Sequence, residues 1–292
     1  RIWRRMYIYR WFYVMLLPVL VFLIIFNYLP MLGLRYAFTE YKSGLQPYYS
    51  GIANFVNMFG LTELGKLKSQ QFMTAFANTL YLSIIKLVLN TFMAVLISLL
   101  LNEMKNIHFK KTVQTIIYLP HFMSWVVVAS VFKMLLAPYD TAPVNSILIN
   151  MGAISNPIDF MNSTTYWRGT FYIMNVWKDT GWGTILFLAT LSGISPDLYE
   201  AAQIDGANRW KRLIYITLPA LANTIITVFI LNLAKVMNLF ESVFVTQSAG
   251  TYDVSQVLQT YIYNKTFSAS FSDYGYTTAV GLFKSFVGMI LV

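Results

Sequence analysis

Long apolar runs alternate with short polar stretches along this chain, and the runs exceed what an ordinary soluble core helix needs. Six are expected to cross a membrane as helices, at about 11–34, 73–101, 112–137, 167–193, 220–245 and 274–292. Each is long enough to approach the roughly 20 apolar residues that a bilayer's hydrocarbon demands of a spanning helix. Pro18 and Pro30 lie within or at the end of the first run, so a kink is expected there, and Pro120 interrupts the third. The connections are a polar segment over 35–72 with a short amphipathic piece near Gly51–Phe59, a charged loop at 102–111, and polar loops at 138–166 and 246–272. A further polar stretch, 195–219, separates the fourth and fifth runs. The pattern predicts an all-α membrane protein whose residues 1–292 form one six-helix transmembrane domain. The first residue is Arg rather than Met and the sixth run reaches Val292, so further residues are expected at both ends.

Composition sharpens this reading. The chain is 57% hydrophobic and 11% charged, with mean hydropathy +0.55, whereas soluble domains carry about 25% charged residues. The net charge of +9 does not indicate nucleic acid, because the basic residues flank apolar runs instead of clustering on one polar face. The first run is longer than a signal peptide's apolar region and is followed by no small-residue cleavage site. There is no cysteine, and neither His108 nor His121 stands in a metal-ligand spacing, so no metal site is expected. Orientation follows from Lys and Arg. Ten basic residues fall in the N-terminal segment, the 102–111 loop and the 195–219 stretch, against six spread over the much longer opposite loops. Positive charge stays inside, which places both termini and the 195–219 stretch in the cytoplasm.

That stretch carries the most local information. Ser195 and Pro196 suit the cap and first position of a helix, and Asp197 and Glu200 suit its first turn. Ala201 and Ala202 leave one flank small, and Asp205 precedes Gly206, which can take positive φ and turn a corner. Arg209, Lys211 and Arg212 then flank Trp210. The expected unit is a helix–corner–helix at the membrane surface, offering small residues, one carboxylate and a basic edge to a soluble neighbour.

Glu200, Ala201, Ala202 and Gly206, with Ile216, Leu218 and Pro219 at their spacing, match the EAA signature of ATP-binding-cassette importer permeases, which this chain resembles. The similarity covers nearly the whole chain. Gly51, Asn54 and Phe55, and Phe76, Asn78 and Thr79, look like the entry to the core helices of sugar-importer permeases. Tyr118-Leu119-Pro120, Ser124-Trp125, Trp177-Lys178-Asp179 and Gly181-Trp182-Gly183 look more narrowly like the LplB branch, itself similar to the maltose permease MalF and to polysaccharide-importer permeases. The resemblance implies a type I (MetI/MalF-like) permease in the bacterial cytoplasmic membrane. It further implies a heterodimer with a second, related permease, a cytoplasmic ATPase dimer that binds ATP and Mg, and an extracellular or periplasmic binding protein that delivers a saccharide. MalF also has extra N-terminal helices and a large outer insertion without counterpart in these 292 residues, so contacts attributed to that insertion are not carried over.

The chain lacks GxxxxGK[ST], the loop that cradles nucleotide phosphates, so it is expected to be no enzyme and to hold no cofactor. Glu200, Ala201, Ala202, Asp205, Gly206, Ile216, Leu218 and Pro219 are the expected ATPase-coupling residues, with Glu200 either anchoring the loop's own fold or meeting a basic group on the ATPase. Ionisable residues inside spans are functional candidates, among them Lys86 and Lys133. The expected substrate pathway is Tyr172, Asn175, Trp177, Lys178, Asp179 and Trp182 in the fourth span, with Asn232, Lys235, Asn238 and Glu241 in the fifth. Asn232, Lys235 and Asn238 recur at i, i+3, i+6, a polar stripe on one helix face. Sugars need aromatic faces and hydrogen-bonding groups together, and a basic component suits an acidic saccharide. Polar residues inside spans also join neighbouring helices, an alternative role for each of these positions. Two other functions are weighed: the same machinery carrying a non-sugar solute such as a peptide, amino acid or ion, and a stand-alone secondary transporter, which would show paired broken helices.

Overall fold

A computed structural model describes residues 7–63, 65–268 and 272–291; Arg1, Arg4 and Arg5 of the basic N-terminal segment lie outside them. Contacts divide the chain into two compact units, Arg1–Gln70 with Ile262–Phe283, and Gln71–Tyr261 with Lys284–Val292.

The first unit opens with the helix Arg10–Leu23, which contains Pro18. A π turn, Ile24–Tyr28, precedes Pro30, and a 3-10 segment, Leu32–Phe38, follows. Proline has no N–H to donate and its ring crowds the preceding turn, so the helix widens there. The side chains from Arg10 to Met31 are exposed on every face, as lipid permits and water would not. A two-stranded antiparallel hairpin pairs Thr39 with Tyr49 and Glu40 with Tyr48. The buried Asn54 secures it by donating to the Ala37 and Thr39 carbonyls at 3.0 and 2.8 Å, and Lys68 pairs with Asp273 at 2.9 Å.

In the second unit the Thr164–Ser192 helix is the central element. Trp167 and Phe171 pack with Leu82, Leu239, Val243 and Val257; Met174 packs with Val128, Ala129 and Met161; Phe187 and Leu191 pack with Ala94 and Leu221. At Gly181 the backbone of Ile117 approaches so closely that a Cβ would lie 2.2 Å from its carbonyl oxygen. Trp167 Nε1 donates to the Thr246 carbonyl at 3.1 Å, so its indole N–H is satisfied in the core.

Among the described residues three helices are long and apolar enough to cross a membrane: Arg10–Phe38, Gly65–Asn102 and Arg209–Leu233. Ile107–Phe122 and Trp125–Leu135 pass that test together but are bent by 104°, because Pro120 sits in a 3-10 turn and the Ser124 hydroxyl starts a new helix by accepting from Val127 N. The remaining two apolar runs are helical at Thr164–Ser192 and Tyr274–Ile290. Two expected boundaries change. The second helix begins at Gly65, inside the segment expected to be a connection. The fifth expected span, 220–245, is instead a continuous helix from Arg209 to Leu233. Asn208 accepts from Lys211 N and fixes its start, while i→i−3 bonds from Lys235, Val236 and Asn238 tighten and end it.

Candidate functional site

Two features stand out in the second unit, an exposed elbow and a polar cavity. The elbow runs from Ser195 to Arg212. Ser195 Oγ accepts from Asp197 N at the start of the Pro196–Ile204 helix. At its end Gly206 adopts φ +76°. Gly206 N donates to Gln203 O at 3.1 Å and Ala207 N to Ala202 O at 2.8 Å, a Schellman closure that requires the left-handed backbone glycine favours. The chain then enters Arg209–Arg212 directly. Tyr199 and Thr217 share a hydroxyl hydrogen bond of 3.0 Å across the corner. A π turn, Leu213–Thr217, precedes Pro219, and Thr217 Oγ1 donates to the Arg212 carbonyl at 3.4 Å.

The signature residues divide by exposure. Glu200, Ala201, Asp205, Gly206 and Pro219 are exposed; Ala202, Ile216 and Leu218 are half-buried. Space around Gly206 is open, with no atom within 4 Å of an added Cβ. The Glu200 side chain is exposed and makes no hydrogen bond or ion pair to another described residue. Apolar side chains point outward as well: Ile204 is 88% and Trp210 71% exposed.

The cavity, about 380 Å³, is lined by the Gly65–Asn102 helix through Ser83, Lys86 and Asn90, by His121, by Asp179 and Trp182, and by Asn232, Lys235 and Asn238. Asp179 stands between two bases, 3.6 Å from Lys86 Nζ and 3.6 Å from His121 Nδ1, beyond hydrogen-bond range of either. His121 stacks on Trp182 at 4.7 Å with rings 9° from parallel. Ser83 Oγ, Asn90 Oδ1 and His121 Nδ1 are buried without a hydrogen-bond partner among the described residues. Lys284 Nζ donates to Asn238 Oδ1 at 2.8 Å.

Five of the ten expected pathway residues therefore meet in one place: Asp179, Trp182, Asn232, Lys235 and Asn238. The other five do not. Asn175 is buried and donates to the Phe171 carbonyl one turn back at 2.7 Å. Lys178 is buried and donates to the His121 carbonyl at 2.7 Å, holding the turn after Pro120. Tyr172 and Trp177 line a separate apolar groove with Leu89, Ile117 and Pro120. Glu241 is exposed and opens the short helix Glu241–Phe244. The expected helical stripe is also corrected: only Asn232 is helical, and Lys235 and Asn238 follow in i→i−3 turns. Such turns bring i and i+3 side chains into register, so the three stay aligned although the helix has ended. Sequence reading missed Ser83 and His121 as wall residues. Ser83, Lys86 and Asn90 form a stripe at i, i+3, i+7, the same signal that pointed to Asn232 and Lys235.

A polar cavity enclosed by membrane-spanning helices, joined to an exposed elbow, defines the class: a membrane transport subunit. The chain belongs to the family of binding-protein-dependent transport system inner membrane components, whose family model matches residues 94–292. Among its relatives, Protein LplB of Bacillus subtilis (strain 168) is 36% identical over 287 residues, 97% of this chain and 86% of that protein. The polygalacturonan/rhamnogalacturonan transport system permease protein YteP of the same organism is also 36% identical, over 97% of this chain and 85% of its own length. A chain in the crystal structure of a bacterial ABC transporter involved in the import of the acidic polysaccharide alginate superposes with TM-score 0.88 at 34% identity, covering 100% of this chain and 95% of that one. The fold is that of a type I ABC importer permease, and the relatives are transport components, not enzymes.

Proposed function

We propose that this chain is one permease subunit of an ATP-driven importer of oligo- or polysaccharides. A second, related permease completes the pathway around the cavity. A cytoplasmic ATPase dimer, binding ATP and Mg, receives the elbow, and an extracellular or periplasmic binding protein delivers the saccharide. The chain crosses the bacterial cytoplasmic membrane six times with both termini inside.

One observation carries this reading. The helix Arg209–Leu233, 25 residues long, has the elbow at one end and Val228 and Asn232, two cavity-lining residues, toward the other. At 1.5 Å per residue it is a rod of about 37 Å. A push on the elbow is carried to the cavity wall along this helix, the kind of displacement packed interfaces transmit. Glu200, Ala201, Ala202, Asp205 and Gly206 form the docking face, while Ile216, Leu218 and Pro219 join it to the rod. The saccharide assignment draws on the names of the relatives and on the pairing of Trp182 with unsatisfied hydroxyl and amide groups, which suits sugar faces and sugar hydroxyls together.

The test is ATP-driven uptake by the complete transporter in proteoliposomes, with a panel of oligosaccharides and its binding protein. Gly206→Trp places a bulky side chain on a positive-φ backbone at the docking face. Membrane insertion should survive, with uptake falling about tenfold or more. Normal assembly and normal uptake by this variant would refute the coupling role, and uptake of peptides in place of saccharides would refute the substrate class.

A further inference from the structure

The central helix grips one residue of the broken span at three points. Ile107–Phe122 ends in the bend at Pro120, and a helix end leaves its last carbonyls without partners. Lys178 Nζ donates to the His121 carbonyl there at 2.7 Å, a place where the helix dipole also favours a cation. Lys178 is 6% exposed and has no ion pair among the described residues; its ammonium stands 5.5 Å from the centre of the Trp125 ring. Burying an ammonium without a carboxylate is costly, so this grip on one carbonyl calls for a purpose. The next turn of the same helix holds the side chain of the same residue. Asp179 Oδ1 faces His121 Nδ1 at 3.6 Å, while its other oxygen faces Lys86 Nζ at 3.6 Å, so the carboxylate is fixed from both sides. Trp182 stacks on the imidazole at 4.7 Å. Backbone, Nδ1 and ring face of His121 are thus all held by residues 178–182. Nδ1 is buried, so the nitrogen that His121 turns to the cavity it lines is Nε2, which makes no hydrogen bond among the described residues. A carboxylate facing Nδ1 favours the tautomer with its proton there, which leaves a lone pair on Nε2.

We propose that His121 is a substrate-contacting residue whose Nε2 accepts a hydrogen bond from a saccharide hydroxyl in the cavity, and that Lys178 is the positioning residue that holds it there. Lys178 is not among the residues that line the cavity; it acts through the His121 backbone. Asp179 acts through the tautomer and Trp182 through the ring plane. All three stand within five residues of one helix, so a single rigid element sets the imidazole, as a precise binding group requires. The matching ligand group is a neutral hydroxyl: an uncharged imidazole acceptor needs a donor and no counter-charge. His121 therefore serves acidic and neutral saccharides alike. The inference rests on reading the chain as a saccharide permease and adds to it the atom that the sugar meets.

The experiment is histidine acylation by diethyl pyrocarbonate in the assembled permease–ATPase complex in lipid nanodiscs, read site by site by mass spectrometry of this subunit. Maltotriose and linear trigalacturonate are the probes. The reagent attacks the unprotonated nitrogen of a neutral imidazole, so His121 should react, and the exposed His108 is the internal reference. A bound saccharide should protect His121 and leave His108 unchanged. Binding of the same saccharide is then measured in variants. His121→Phe keeps a ring on Trp182, removes the acceptor and should weaken binding about tenfold, the scale of one hydrogen bond. Lys178→Met should weaken it similarly and Lys178→Arg, which keeps the donor, should restore it; Lys178→Gln replaces the Met variant if that one does not assemble. Added to His121→Phe, the Lys178 variant should cost nothing further, whereas a merely structural lysine would cost as much in both backgrounds. A saccharide that binds without protecting His121 would overturn the contact, and additive losses would overturn the positioning role. In either case saccharide uptake would still stand. Absence of binding and of uptake for both probes would overturn the saccharide reading and this inference with it.

Discussion

Glu40 shows how a single side chain can set the behaviour of the Thr39–Tyr49 hairpin. It accepts hydrogen bonds from Lys42 Nζ and the Tyr48 hydroxyl, and these, Lys42 first, hold its carboxyl below the ordinary 4.5. The same bond raises Lys42. A carboxyl depressed on folding stabilises the folded form above its unfolded pKa and loses that contribution as pH falls through the folded one. Both partners are a third or more exposed, so the contribution is below about 1 kcal/mol. Protection of the Ser50 amide, which donates to the Phe38 carbonyl at 3.0 Å, should therefore weaken on acidification to about pH 3. Hydrogen exchange corrected for intrinsic rates would measure it, and Glu40→Gln should flatten the response. At this scale sequence was informative where chemistry is local. Ser195, Gly206 and Pro219 announce their backbone roles, and Asp179 and Lys86 announce themselves as charges among apolar neighbours. His121 does not, because its importance lies in stacking on Trp182, a contact between a turn and a helix 61 positions apart in sequence.

The elements were legible to the extent that lipid or local hydrogen bonds define them. The first, second and fifth apolar runs became the helices that pass for membrane spans by length and composition alone. Thr164–Ser192 does not pass, for a physical reason: it is walled by protein, so Thr170, Asn175, Lys178, Thr180 and Thr184 are buried within it. The end of the fifth helix was misjudged because hydrophobicity continues past Leu233 while the backbone has already tightened into i→i−3 turns. Packing of Thr164–Ser192 on Ile107–Tyr118 depends on the missing side chain of Gly181. In Gly181→Ala the new Cβ would meet the Ile117 carbonyl oxygen at 2.2 Å and its carbon at 2.7 Å, backbone atoms that cannot swing aside. A destabilisation of about 1–3 kcal/mol is expected, read as a lowered Tm of the detergent-solubilised complex. Gly169→Ala, on the same helix with nothing within 4 Å, should leave Tm unchanged or raise it slightly, since alanine favours the helix over glycine.

Across the molecule the elbow and the cavity have value only if motion at one is felt at the other. The rod from Arg209 to Leu233 is held to the central helix by Leu221 against Phe187 and Leu191, and by the Thr190–Thr224 hydroxyl bond of 2.9 Å. Elbow, rod and wall can therefore move as one body. Ile226 lies between the two ends and is 57% exposed, so its side chain can be changed without opening the core. Ile226→Pro removes one helical N–H bond and crowds the carbonyl four residues back, bending the rod. Ile226→Ala removes more of the side chain than the proline does but keeps the backbone straight, so it controls for lost side-chain contacts. The expected outcome is a complex that still assembles and still hydrolyses ATP in both variants, with uptake per ATP reduced about tenfold in the proline variant alone. Equal transport by the two would mean that the wall moves independently of the elbow, and that force reaches the cavity by a route other than this helix.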